Sequence, residues 1–153
     1  MHKLITSIFG IGYIKGGGTI AAAVTCLVIY FLPAGTMTHP LAAAFSTLLI
    51  VGLGVYSSNQ VEQYWGKDSY RVVIDEVAGM WITLLFVPVN ITTLLIGLAL
   101  FRFFDIVKPL YIKRMEDLPA GWGVMFDDVL AGIYGCVVFH LLLLLFPAIG
   151  TGV

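Results

Sequence analysis

The chain has 153 residues, of which 11% are Asp, Glu, Lys or Arg and 59% are apolar, with a mean hydropathy of +0.99. A soluble domain carries roughly 25% charged residues, so an ordinary water-soluble globule is excluded, as is a disordered chain, which needs high charge and little apolar surface. The net charge of −1 supplies no basic patch, so no nucleic-acid partner is expected.

The N-terminal residues 1–14 hold Lys3 ahead of a short apolar run (Leu4, Ile5, Ile8, Phe9) without a small-residue cleavage site. They read as an interfacial segment rather than a signal peptide. Lys15 precedes Gly16-Gly17-Gly18-Thr19, and no charge occurs from 16 to 61. That stretch exceeds the ~20 residues of one spanning helix, and Leu32-Pro33-Ala34-Gly35 and His39-Pro40 interrupt it. Pro and Gly punctuate helices, so spans are expected near 17–32 and 41–58. Charges return with Glu62, Lys67, Asp68, Arg71, Asp75 and Glu76. The uncharged stretch 77–101 contains Val87-Pro88-Val89-Asn90, a turn signal, which favours spans near 70–87 and 91–107 over one continuous helix. A third charged cluster runs from Arg102 to Asp128, and a last span is expected near 124–146. Cys26 and Cys136 lie far apart in apolar runs and read as small buried residues.

The expected architecture is therefore all-α, a polytopic membrane helical bundle of about five transmembrane helices in a single domain, 1–153. With the N-terminus cytoplasmic, the loops at 33–40 and 88–90 and the C-terminus face outward and hold no charge. Every Lys and Arg then lies inside, as the positive-inside rule prefers. Four spans would place Arg102, Lys108, Lys113 and Arg114 outside. The sequence carries no signature of an oligomeric state.

Asp75-Glu76 and Asp127-Asp128 each sit near the start of a span, between apolar neighbours, and Asp105 lies at the exit end of another. Acids near a helix N-terminus are favoured by the macrodipole, which accounts for one acid in each pair. It fails for Asp105 at a helix C-terminus, although Arg102, three residues earlier, lies on the same face and offsets it. Ionisable groups within membrane segments are costly and mark function. Several carboxylates at one membrane level suit a hard cation, and Mg²⁺ takes oxygen ligands together with substrate phosphate oxygens. Zinc is not expected. His140 lies about 18 Å beyond Asp128 along a helix, His39 belongs to the opposite side, and His2 is terminal. Arg102 and Lys108 suit a phosphate as a bidentate clamp and a point charge. Lys15 and Lys67 fit phosphate contacts and ordinary inside anchors equally, while Lys113 and Arg114 fit anchors better. The glycines at 16–18 and Thr19 fit an anion-binding helix start or a flexible entry into a helix. Gly52, Gly54, Gly79, Thr83, Ala131 and Gly135 read as small packing residues, and Trp65, Trp81 and Trp122 as interfacial aromatics.

Three blocks carry a family resemblance: Asp68-Ser-Tyr-Arg-Val-Val-Ile-Asp-Glu-Val-Ala-Gly-Met-Trp81, Phe101-Arg-Phe-Phe-Asp-Ile-Val-Lys-Pro109 and Gly121-Trp-Gly-Val-Met-Phe-Asp-Asp-Val-Leu-Ala-Gly132. In these the chain resembles the phosphatidylglycerophosphatase A family. It departs from the family pattern at Ile20-Ala21-Ala22, Leu110-Tyr111-Ile112 and Glu116–Gly121, outside the acidic blocks. The resemblance implies a multi-pass enzyme of the bacterial inner membrane, and the charge distribution alone places its active site facing the cytoplasm. It implies Mg²⁺-dependent hydrolysis of a phospholipid phosphomonoester, phosphatidylglycerophosphate, to phosphatidylglycerol. The resemblance points to the acidic blocks as the site without settling each role; from side-chain chemistry, Asp75, Glu76, Asp127 and Asp128 are expected to hold Mg²⁺ or orient its water. Asp105 is a further ligand or the general base, with Asp75 and Asp128 also at the reacting centre. Arg102, Lys108, Lys15 and Thr19 are expected to bind the phosphate. Direct attack by water and attack by an aspartate nucleophile are both compatible with these residues. The CDP-alcohol phosphotransferase pattern Asp-x-x-Asp-Gly-x-x-Ala-Arg is absent, and the histidines do not suit a phosphatidic-acid-phosphatase type of enzyme. The alternative of another class is a carboxylate-lined ion or proton transporter.

Overall fold

A computed structural model describes residues 1–33, 35–67 and 69–151. Ala34, in the first expected break, and Asp68, at the head of the first block, lie outside the described residues, as do Gly152 and Val153. Among the described residues the chain is all-helical. In chain order the helices are α1 (His2–Thr6), α2 (Gly17–Phe31), α3 (Pro40–Trp65), α4 (Ile74–Thr83), α5 (Ile91–Val107), α6 (Ile112–Met115), α7 (Gly121–Leu145) and α8 (Ala148–Thr151), with a 3-10 turn at Ile11–Tyr13.

The boundaries follow local chemistry. Leu32 ends α2 in an extended conformation (φ −67°, ψ 152°), the geometry forced on a residue before proline. Pro40 opens α3, where its fixed φ suits a first helical turn. Asn90 caps α5 in a reciprocal box with Thr93. At the other end of α5, Lys108 adopts the left-handed region (φ 45°, ψ 53°) and its N–H donates to Phe104 O at 2.9 Å.

Four of the expected segments coincide with helices α2, α3, α5 and α7, of which α3 and α7 are long and apolar enough to cross a membrane. The fourth, near 70–87, is shorter than expected. Helix α4 covers only Ile74–Thr83, about 15 Å at 1.5 Å per residue, half the ~30 Å hydrocarbon core. It is the central helix rather than a lipid-facing one. Ala78, Gly79, Met80, Trp81, Ile82 and Thr83 are all buried, and α2, α3, α5 and α7 pack around them. Trp81 accordingly sits in the core at 7% exposure, not at an interface.

Helix α4 crosses α7 with almost no side chain between them. A Cβ on Gly132 would collide with the carbonyl oxygen of Gly79, and one on Gly79 would strike the Phe101 ring. One turn further on, the Thr83 hydroxyl donates to Gly79 O at 2.9 Å and to Gly132 O at 3.4 Å. Phe101, Met80, Leu84 and Phe139 fill the core on either side of this crossing.

The outer faces remain apolar: Leu48, Leu95 and Leu144 are 73%, 62% and 77% exposed. Exposed apolar area on this scale marks a surface made for lipid or a partner. Helices α3 and α7 are long and apolar enough to cross a membrane, by length and composition. The starts of α2, α4 and α7 and the end of α5 lie at one end of the bundle, where they line a common cavity. The end of α3 lies there too, since Asn59 Oδ1 accepts the Gly121 N–H at 2.6 Å. Segment 1–14 lies at the same end: Lys3 Nζ sits 4.4 Å over the Tyr64 ring, and Val73 N–H donates to Thr6 O at 2.8 Å.

Candidate active site

The cavity between these helix ends has a volume of about 650 Å³. Asp75 and Glu76 reach it from the first turn of α4, Arg102 and Asp105 from the last turns of α5, and Lys108 from the α5 cap. Asp127 and Asp128 come from α7, and Lys15 and Thr19 from the entry to α2. All nine residues singled out in the sequence therefore line one chamber. Lys67 does not; it borders a separate hollow with Glu116, Asp117 and Asp127. Tyr13, Ser69 and Tyr70 also line the chamber. Tyr13 ends the 3-10 turn and Ser69 and Tyr70 fall inside the first family block, but as uncharged residues they were not singled out.

Each acidic pair has the same internal contact. Asp75 Oδ1 accepts the Glu76 N–H at 3.1 Å, and Asp127 Oδ1 accepts the Asp128 N–H at 3.0 Å. The macrodipole favours the first pair, which lies in the first turn of α4. It does not reach the second. Helix α7 starts at Gly121, earlier than the expected 124, and its first turn holds no acid. Asp127 and Asp128 are nevertheless 7% and 3% exposed.

Asp75, Glu76 and Asp128 each offer an oxygen, and these atoms lie within 4.8 Å of one another. Opposite ligands of an octahedral Mg²⁺ stand ~4.2 Å apart, at twice the ~2.1 Å bond length, so the three oxygens are near the spacing of ligands on one ion and would close on it by small side-chain movements. The donor set is purely carboxylate, which suits a hard cation. His140 is elsewhere, its Nδ1 at 2.8 Å from Cys136 O. Glu76 Oε2 is buried without a hydrogen-bond partner. Among the described residues no cation forms an ion pair with any of the three, because the two nearby cations are taken by other acids. Buried like charges at this separation repel one another, and a shared proton or a cation among them relieves the repulsion. The residues present therefore fit Mg²⁺.

Asp127 is placed differently from the other three. Its Oδ2 lies 2.6 Å from Lys108 Nζ, which also meets Glu116 Oε1 at 2.6 Å. Burial opposes the charge on Lys108, but the hydrogen bonds to Asp127 and Glu116 outweigh it and hold the ammonium above the usual lysine range. Glu116 was not among the expected site residues. It reaches Lys108 only through the turn at Pro109, which no helical spacing signals.

Arg102 Nη1 lies 2.6 Å from Asp105 Oδ2. The N–H does not point at that oxygen, and both Nη1 and Nε are buried without a hydrogen bond. The guanidinium is thus held by charge while keeping donors for another anion, the requirement for a phosphate clamp. Asp105 in turn lies against Asp128. Lys15 and Thr19 are exposed at the rim. Gly18 stands directly against the Glu76 carboxylate, where an added Cβ would overlap Oε1.

The fold and the chamber define a helical protein with acidic and basic side chains gathered in a cavity at one end of an apolar bundle. The family model of phosphatidylglycerophosphatase A matches residues 4–143, and the chain belongs to that family. It is a phosphatase. A Bacteroides thetaiotaomicron protein, provisionally named phosphatidylinositol-3-phosphatase, is 42% identical over 123 residues, covering 78% of this chain and 77% of its own length. A phosphatidylglycerophosphatase A of Haemophilus influenzae is 40% identical over 95 residues, or 60% of this chain and 58% of that protein. That of Escherichia coli is 30% identical over 128 residues, or 80% and 70%. No solved structure matches the chain. These relationships do not favour the transporter alternative.

Proposed function

We propose that the protein hydrolyses the terminal phosphomonoester of phosphatidylglycerophosphate to phosphatidylglycerol and phosphate, as a Mg²⁺-dependent step of glycerophospholipid biosynthesis. The observation that carries this reading is the group of three carboxylates lacking any paired cation, set beside an arginine with unused donors, in a chain of this family.

Asp75, Glu76 and Asp128 would hold the Mg²⁺, which would supply positive charge against the phosphoryl oxygens and make water a better nucleophile. Arg102 receives the phosphate through its free N–H groups and offsets charge developing on it. Asp105, fixed by Arg102 and Asp128, would accept the proton of the water that attacks phosphorus, and the glycerol oxygen would take up a proton from solvent as its bond to phosphorus breaks. Asp127 and Lys108 hold the start of this constellation by fixing the Asp128 backbone N–H and the α5 cap. Lys15 and Thr19 meet the headgroup at the rim.

The enzyme lies in the bacterial inner membrane with five spans, α4 being the short central one, and with the chamber facing the cytoplasm. Supporting this, every Lys and Arg falls at the chamber end, while the residues from 33 to 40 and from 84 to 90 carry no charge.

A second substrate reading rests on the Bacteroides relative, whose name is that of an inositol-lipid phosphatase. Both lipids present a headgroup phosphomonoester. Phosphate release from phosphatidylglycerophosphate and from phosphatidylinositol 3-phosphate, in matched micelles, separates them. The proposal predicts a higher kcat/KM for the glycerol lipid; a preference for the inositol lipid would replace it with the second reading.

A further inference from the structure

Helices α2 and α5 enclose a second cavity, a groove of about 400 Å³. Ala23, Cys26 and Leu27 line it from α2, and Leu94, Leu95 and Leu98 from α5. Cys26 and Leu94 form a buried floor at 8% and 9% exposure, whereas Leu27 and Leu95 form open walls.

The groove continues the seam that holds the active site. On α2, Thr19, Ala23 and Leu27 recur every fourth residue; on α5, Leu95, Leu98, Arg102 and Asp105 lie on one stripe. Thr19, Arg102 and Asp105 line the chamber, and the other residues line the groove. Four residues separate Thr19 from Ala23 and Leu98 from Arg102, about 6 Å at 1.5 Å per residue. The seam is therefore polar and cationic at one end and apolar beyond, the order in which a phospholipid presents its phosphate and its chains. An irregular peptide would leave its backbone groups unsatisfied on such a surface.

We propose that the α2–α5 groove seats an acyl chain of the lipid substrate, which enters sideways from the bilayer. The proposal rests on the reading of the protein as a lipid phosphatase. It makes the length of chain engaged, and not the headgroup alone, a determinant of turnover.

The test compares kcat/KM for dioleoyl and dihexanoyl phosphatidylglycerophosphate in the unaltered enzyme and in Leu95→Trp and Leu27→Trp, which fill the groove from opposite walls. Each variant is expected to lower the long-chain to short-chain ratio about tenfold, the effect of displacing roughly two buried methylenes. Leu48→Trp, on the outer face of α3, is expected to leave the ratio unchanged. An unchanged ratio in both groove variants, with intact thermal unfolding, would overturn the proposal and leave the groove to bulk lipid. An unchanged ratio with a loss of particle mass would assign it to a second copy of the chain. Absence of phosphate release from either lipid by the unaltered enzyme would remove the functional reading and the groove's role with it.

Discussion

Gly18 is the residue against which the Glu76 carboxylate rests, and it shows how the α2 entry serves the site. A Cβ there would meet a side-chain oxygen rather than backbone, so Gly18→Ala is accommodated by moving Glu76. Misplacing a catalytic group by ~1 Å costs on the order of a hundredfold. Gly18→Ala is expected to lower kcat about tenfold to a hundredfold while shifting the melting temperature by no more than about 2 °C; unaltered kcat would place Glu76 outside the reacting centre. Lys108 plays a structural part as well. It holds a left-handed conformation before Pro109 and compensates Asp127, whose side chain is 10% exposed. Lys108→Met removes the ammonium from that carboxylate and is expected to cost on the order of 3 kcal/mol in denaturant unfolding. Glu116→Gln, at a side chain 38% exposed, is expected to cost about 1 kcal/mol or less. Equal costs would show that the Glu116 contact carries the whole effect of Lys108 and the Asp127 contact none. Mg²⁺ binding has its own readout in stability. At about a hundred times its Kd, a ligand confined to the folded state stabilises it by about 2.7 kcal/mol. Mg²⁺ should therefore raise the melting temperature of the unaltered protein and leave that of Asp75→Asn/Asp128→Asn in place.

At the scale of elements, the crossing of α4 and α7 fixes the distance between the two acidic pairs. Asp75-Glu76 lie one turn before Gly79, and Asp127-Asp128 one turn before Gly132, so the glycine contact sets how closely the carboxylates converge. Gly132→Ala is expected to destabilise by about 1–3 kcal/mol, as overpacking does, and to lower activity with it. Gly52→Ala, with nothing within 4 Å of the new Cβ, is the matched control and should be stabilising by about 0.5–1 kcal/mol. Thermal unfolding of both variants checks the opposite signs; a neutral Gly132→Ala would mean that the crossing does not set the spacing. These elements also show what the sequence discloses. Pro33, Pro40 and the Asn90 cap bound α2, α3 and α5 visibly. Helix α3 runs to Trp65 rather than 58 because its tail, Ser57 to Gln63, is helical but polar, and hydropathy registers only the loss of apolarity. The length of α4 was hidden for the complementary reason. Hydropathy reports that a segment avoids water, not whether lipid or protein surrounds it, and α4 is enclosed by four helices.

Over the whole molecule, charge and apolarity are segregated along the bundle. In a chain so poor in charge, each buried carboxylate stands out, which is why all nine expected residues line one chamber. Their partnerships were not legible. The division of the four paired acids into three beside one another and one on Lys108 arises from helix rotation and from the turn at Pro109, and neither leaves a periodic trace. The segregation suits the proposed reaction, which would put headgroup chemistry at the charged end and the lipid chains along the apolar sides. The most direct measurement of the central claim is phosphate release from phosphatidylglycerophosphate in detergent micelles, with Mg²⁺, with EDTA, and with Asp128→Asn. The account predicts release that requires Mg²⁺ and is lost in the variant. Release that persists in EDTA, or at full rate in Asp128→Asn, would contradict it.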